Sequence, residues 1–252
     1  MSTDRDTIVE TLNNWLEPEL FQDYCPNGLQ VEGRREVARV ITGVTASQRF
    51  LEQAIEAGAD MVLVHHGYFW KGEDPCIRGM KQRRIQMLLA HEVSLVAYHL
   101  PLDAHRTMGN NACLGRTLGV FNPEPVSGDP RELLWHGELE EPTSADALGE
   151  RMRAGLDQVP LHIEGGPGTI KRLAWCSGGA QGMIDRAASL GVDAYISGEI
   201  SEPTVHSARE NGIHFYAAGH HATERHGVQA IGAALETALG IEHRFIDDPS
   251  PA

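Results

Sequence analysis

Apolar residues recur along this chain in two rhythms, and the switches between them mark its elements. Ile8, Val9, Leu12, Trp15 and Leu16 fall at helical spacing over residues 6–16, with Asp6 or Thr7 as cap and Pro18 closing the segment. Residues 39–44 then read as a strand, 47–57 as a helix closed by Gly58, and Met61-Val62-Leu63-Val64 as a buried strand too short for a helix. That is a β-α-β unit. A loop over 71–79, a helix over 81–91 carrying Ile85, Met87, Leu88 and Leu89, and a strand over 93–98 extend it. Strands alternating with helices predict a parallel, doubly wound α/β sheet.

The pattern then recurs. Residues 121–130 are rich in Pro, Gly and Ser, which predicts a boundary between a first lobe over 1–126 and a second over 127–252, the C-terminal segment packing back on the first. Beyond it come a strand over 171–176, a helix over 181–190, Gly191 and a strand over 192–197. Val40 aligns with Leu173, Gly58 with Gly191, Asp60 with Asp193 and His65-His66 with Gly198-Glu199, all at one offset. Residues 93–98 match 213–218 after a gap, the first copy carrying an insertion over about 67–80. Two similar α/β lobes related by internal duplication follow, with mostly parallel sheets and a metal site between them.

Composition narrows the class. With 252 residues, 41% hydrophobic and 22% charged, the chain reads as an ordinary globular protein. Its net charge of -14 disfavours a general nucleic-acid or anionic-membrane surface, because such binding runs on phosphate neutralisation. Cys25, Cys76, Cys113 and Cys176 form no CxxC pair and are expected as reduced thiols. The N-terminus has no apolar signal core and no run reaches membrane-spanning length, so a cytoplasmic location is expected.

Three strand ends carry the chemistry. His65 and His66 follow one strand, with Gly67 allowing a sharp turn. In mid-strand two neighbours face opposite ways, but at a strand end both imidazoles can converge. His99 and Asp103 follow the next strand, and Gly219-His220-His221-Ala222-Thr223-Glu224 follows the corresponding strand of the second lobe. In open α/β sheets ligands collect beyond the carboxyl ends of strands. If a helix begins near His220, His220 and Glu224 share one face at i, i+4, whereas His221 turns away by about a quarter-turn. Three imidazoles and two carboxylates are too many for a closed structural zinc site. They suit two divalent ions, and donors without thiolate permit zinc, iron, manganese, cobalt or nickel.

These segments, with Ser197-Gly198-Glu199 and Asn27-Gly28-Leu29-Gln30, resemble the Nif-three-like family of dinuclear-metal toroidal proteins, many of whose members are called homologues of GTP cyclohydrolase I, type II. The resemblance spans nearly the whole chain, which looks like a short member without the domain some relatives insert between the halves. It implies two α/β lobes, a ring-shaped homohexamer, and His65, His66, Asp103, His220 and Glu224 as metal ligands. Many relatives carry an aromatic where this chain has His221, and helical spacing to Glu224 selects His220 as the ligand.

Two functions are compatible with this reading. The first is a metal-dependent hydrolase acting on a nucleotide or related small molecule through a metal-bridging hydroxide, with His99 or His221 as proton carrier. The second is a non-catalytic metal-bearing ring that binds a partner protein, nucleic acid or metal ions. The chain has no phosphate loop of the GxxxxGK[ST] type, so the substrate rests on the resemblance.

Overall fold

Each repeat forms the centre of its own unit. In the computed structural model, which describes residues 2–128 and 132–251, one unit comprises Met1–Leu102 with Gly227–Asp248, and the other Asp103–His226 with Pro249–Ala252. The chain runs through β1 (Thr3–Asp4), α1 (Arg5–Leu16), β2 (Gly28–Val31), β3 (Glu36–Val37), β4 (Arg39–Thr45), α2 (Gln48–Glu56), β5 (Met61–His66), α3 (Gly79–Ala90), β6 (Ser94–Ala97) and α4 (Leu100–Ala104). It continues through α5 (Asn110–Thr117), β7 (Val120–Pro125), β8 (Trp135–Thr143), α6 (Ala145–Leu156), β9 (Leu161–Ile163), β10 (Ile170–Cys176), α7 (Ile184–Ser189), β11 (Ala194–Ser197), α8 (Glu202–Asn211) and β12 (His214–Ala217). Then α9 (His220–Leu239) leads into β13 (Glu242–Phe245).

In the first unit the strand order is β13-β4-β5-β6-β2, with parallel pairing throughout except for β2 against β6. Val40 to Val44 and Met61 to His65 are all buried, as expected of parallel strands covered on both faces. Phe50, Leu51 and Ala54 of α2 pack with Ile41, Val62 and Val64 on one of those faces. Ser47 starts α2, its Oγ accepting the Phe50 N–H at 3.0 Å. In the second unit the order is β7-β8-β10-β11-β12-β9, with β10, β11 and β12 parallel and the outer pairings antiparallel. Trp135, Trp175 and Tyr216 fill one cluster there, and Tyr195 with Phe215 another.

The repeat is reproduced at the level of hydrogen bonds. Val40 pairs with Met61 as Leu173 pairs with Ala194, so the two copies share a register. Asp60 Oδ2 accepts the N–H groups of Ala38 and Arg39 at 2.8 and 3.0 Å; Asp193 Oδ2 accepts those of Lys171 and Arg172, both at 2.8 Å. Farther on, Tyr98 N–H donates to Val64 O as Ala218 N–H donates to Ser197 O. This shared pattern is what a duplication leaves. Asp60→Ala and Asp193→Ala should each cost about 1–2 kcal/mol, since each removes a carboxylate holding two backbone donors at a strand start. Urea unfolding of the two variants checks this, and a cost at only one position would deny the clamp a common role.

Some boundaries differ from the sequence expectation. The first crossing between units falls at Leu102/Asp103, not near residue 126. The Pro- and Gly-rich stretch joins β7 to β8, adjacent antiparallel strands of one sheet, so its turn residues serve a hairpin and not an interdomain linker. Residues 129–131 of that stretch lie outside the described residues. The return of the C-terminal segment to the first unit is seen in β13, which pairs with β4. The helix expected over 181–190 opens with a 3-10 turn, Gln181–Met183. Cys25, Cys76, Cys113 and Cys176 are free thiols, and no helix among the described residues is long and apolar enough to cross a membrane.

Candidate metal centre

Strand β5 extends through both histidines, yet their rings lie only 4.5 Å apart, centroid to centroid. Each is held by Nδ1. His65, fully buried, lies with Nδ1 3.0 Å from Tyr98 O, and His66 Nδ1 lies 3.1 Å from Thr45 Oγ1. A carbonyl only accepts, so His65 carries its proton on Nδ1 and its lone pair on Nε2. The backbone turns at Gly67, where a Cβ would overlap Gln30 Oε1 and meet Ala97 Cβ at 2.7 Å. Gln30 bridges the turn, donating from Nε2 to Pro26 O and accepting the Tyr68 N–H. The Asn27–Gln30 segment is therefore a brace under the histidine strand.

His99, at the end of β6, joins His65 and His66: one nitrogen from each ring lies within 4.8 Å of the other two. Asp23 Oδ1 accepts from His99 Nδ1 at 2.7 Å, and Asn27 Oδ1 accepts the His99 N–H at 2.7 Å. Burial opposes ionisation of Asp23, but hydrogen bonds from His99 and Asn27 outweigh it and hold the carboxyl below its ordinary range.

The second unit supplies Asp103, His220 and Glu224. Asp103 is buried, its Oδ1 accepting from Asn110 Nδ2 at 2.8 Å and from Ser177 Oγ at 3.1 Å. Asn111 Oδ1 accepts the Ser177 N–H, fixing that segment after β10. Helix α9 begins at His220, and the predicted i, i+4 pair is formed: His220 Nε2 lies 3.3 Å from Glu224 Oε2. His220 Nδ1 lies 2.6 Å from Glu199 Oε1. Thr223, also buried, accepts the Gly178 N–H on Oγ1 and donates to the backbone at the helix start, which accounts for the threonine in this motif. His221 is buried, and it enters none of the donor groups among the described residues.

Burial lowers the pKa of His220, but Glu224 and Glu199 overcome it and raise the ring to about 9. A metal must displace that proton, since only the neutral ring coordinates. Affinity should therefore fall as pH drops below about 9, by up to roughly tenfold per unit from this group alone. Zinc titration calorimetry in buffers of different ionisation enthalpy should register proton release at pH 7.5. No release would contradict the assignment.

The donors fit a divalent cation on their own chemistry. His65 and His99 in the first unit and His220 in the second all have Nδ1 engaged by an oxygen, the arrangement that leaves Nε2 for a metal, and the second unit also carries two buried carboxylates, Asp103 and Glu224. Asp23, Asn110, Asn111 and Ser177 are the supporting residues that sequence reasoning missed. Asp23, Asn111 and Ser177 lie 76, 66 and 74 residues from the groups they orient, whereas Asn110 is seven residues from Asp103 and carries no motif that marks it. Glu199 had a signal, because the repeat aligns it with His66.

Fold and donors define a class: a two-unit α/β protein with clusters of histidine and carboxylate side chains, able to hold a metal ion, at the carboxyl ends of parallel strands. The family model described as Duf34/NIF3 (NGG1p interacting factor 3) matches residues 3–251, and the chain belongs to that family. It is 57% identical over 247 residues to the GTP cyclohydrolase 1 type 2 homolog of Pseudomonas aeruginosa, covering 98% of each chain. Among solved structures, the protein ybgI, described as of unknown function, matches at 49% identity and TM-score 0.94, covering 99% of this chain and all of that one (100%). TTHA1606 from Thermus thermophilus matches at 32% identity and TM-score 0.90, covering 99% of this chain and 100% of that one.

Proposed function

We propose that this chain is a dinuclear metal-dependent hydrolase of the GTP cyclohydrolase type 2-like kind, acting on a nucleotide or related small molecule. The observation that supports it most is the orienting of histidine rings through Nδ1, by Tyr98 O at His65 in the first unit and by Glu199 at His220 in the second, together with the burial of the second unit's carboxylates Asp103 and Glu224. Stability alone does not call for such a set, because burying ionisable groups is costly without a counter-charge. His65, His66, Asp103, His220 and Glu224 are the residues that would hold the ions, the two carboxylates supplying the negative charge that divalent cations require. Two divalent ions would lower the pKa of water and supply hydroxide near neutrality. Glu199 keeps His220 in its binding orientation, and Asn110 with Ser177 hold Asp103 in place. The names of the relatives favour a nucleotide substrate, and a homohexameric ring is part of the same proposal.

The test is metal analysis of protein purified without chelator, then a hydrolysis screen with and without the metal found. Two ions per chain and metal-dependent turnover are expected. A content that never exceeds one per chain after reloading would sink the dinuclear reading. Two tightly held ions with no turnover across nucleotides and phosphoesters would favour the non-catalytic ring. Light scattering during gel filtration tests the hexamer.

A further inference from the structure

We infer that a groove in the second unit receives the base of a guanine nucleoside or nucleotide, with Gln158 and Glu199 reading the edge of that base. The inference rests on the proposed nucleotide substrate and deepens it by assigning the residues that recognise the base. The groove encloses about 330 Å³, within the roughly 300–1,000 Å³ of small-molecule sites, and lies at the carboxyl ends of β11 and β12. Val159, Leu161, Ile200 and Pro251 make its apolar walls, all within one unit. Val159 and Leu161 are 71% and 54% exposed, with only Pro160 between them, so this rim leaves in water the kind of surface that a planar ring covers. No cationic side chain lines the groove among the described residues, so it suits a base and not the phosphates of a nucleotide.

Its polar groups are few and fixed in place. Helix α6 ends at Asp157 in the left-handed conformation, φ +53, and the chain then turns so that Gln158 lies against Gly219. A Cβ on Gly219 would meet Gln158 Cγ at 3.1 Å, so the glycine makes room for that side chain. Arg225 of α9 ties this wall down, donating to Leu156 O at 2.7 Å. The Gln158 amide, half-buried, bonds to no other group among the described residues, and so offers a ligand both a donor and an acceptor. Glu199 offers acceptors alone: Oε1 lies against His220 Nδ1, and Oε2 is 3.4 Å from Gln181 Nε2, with lone pairs to spare. An edge that only accepts is matched by paired N–H donors. Guanine carries two side by side, at N1 and N2. Adenine sets a ring lone pair beside its amino group, and a carboxylate repels that lone pair.

The test is equilibrium dialysis of the full chain against labelled guanosine and adenosine, which carry no phosphate for a metal to hold. Saturable guanosine binding is expected, with adenosine at least about tenfold weaker. Gln158→Leu keeps the apolar stem of the side chain, and Val159→Asp alters an exposed position, so both should fold, as circular dichroism checks. Each should weaken guanosine about tenfold or more while metal content is unchanged. Glu199→Gln presents a donor beside an acceptor and should narrow the gap between the two nucleosides, a change of preference that a purely structural role does not produce. Absence of saturable guanosine binding overturns the inference, as does binding that survives both Gln158→Leu and Val159→Asp. If guanosine does not bind and Val159→Asp elutes as a smaller species on gel filtration, the groove is a contact between copies and the inference is likewise overturned. Guanosine binding without metal-dependent turnover keeps the groove and retires the hydrolase. Metal-dependent turnover of phosphoesters that carry no base, by a chain that binds no guanosine, does the reverse.

Discussion

Asp103→Ala is expected to strip both ions from the chain and abolish hydrolysis while leaving the fold in place. Of the five proposed ligands, two are carboxylates, and only a carboxylate can bridge two ions, so one substitution should disturb both positions. The structural cost is bounded. The variant deprives Asn110 Nδ2 and Ser177 Oγ of an acceptor, about 1–3 kcal/mol for buried donors, against a typical domain stability of about 5–15 kcal/mol. It also removes a buried negative charge, which offsets part of that cost when no ion is present. His221→Ala is the matched control: it removes a larger buried ring one residue from His220, yet should keep most of the metal. Circular dichroism and metal content by mass spectrometry, on the same samples, decide the matter. Retention of both ions by Asp103→Ala, together with their loss from His221→Ala, would reverse the ligand assignment.

The contrast between Asp103 and its supports shows what the sequence carried. Residues 61–66 were legible because a fully buried strand needs consecutive apolar residues, and two histidines after such a run stand out against it. The His220–Glu224 pair was legible because helical spacing is a local property, visible once a helix start is assumed. The repeat was legible because Gly58 with Gly191 and Asp60 with Asp193 perform identical backbone tasks and so keep one offset. Asp23 was not legible. It lies 76 residues from His99, and nothing in an Asp-Tyr-Cys-Pro turn marks a carboxylate aimed at an imidazole. Ser177 likewise reads as a residue following a strand until Asp103 is found against it. The unit boundary was misplaced for a related reason: Pro and Gly mark turns equally well inside a sheet and between units.

Gly178→Ala should cost little stability and most of the metal, without removing any ligand. Gly178 has φ +64, a left-handed conformation in which alanine is strained by about 1 kcal/mol or somewhat more. Its Cβ would overlap Glu224 Oε1 and meet His220 Nε2 at 3.2 Å. The far end of a glutamate moves cheaply, so the fold absorbs the methyl group. The atoms that move are those proposed to hold metal, and they sit in an i, i+4 pair with little slack at 3.3 Å. The Gly178 N–H is meanwhile tied to Thr223 Oγ1, which limits relief by backbone shift. A displaced carboxylate and a crowded imidazole should weaken binding by at least the roughly 10–100-fold seen when supporting residues of metal sites are lost. Gly240→Ala calibrates the backbone penalty, since it shares the left-handed φ, +66, and its Cβ would meet nothing within 4 Å. The two variants should unfold at similar urea concentrations when stripped of metal, and only Gly178→Ala should require far more zinc to regain occupancy. Equal zinc affinity in both would show that Glu224 and His220 tolerate displacement, which ligands of a preorganised centre do not.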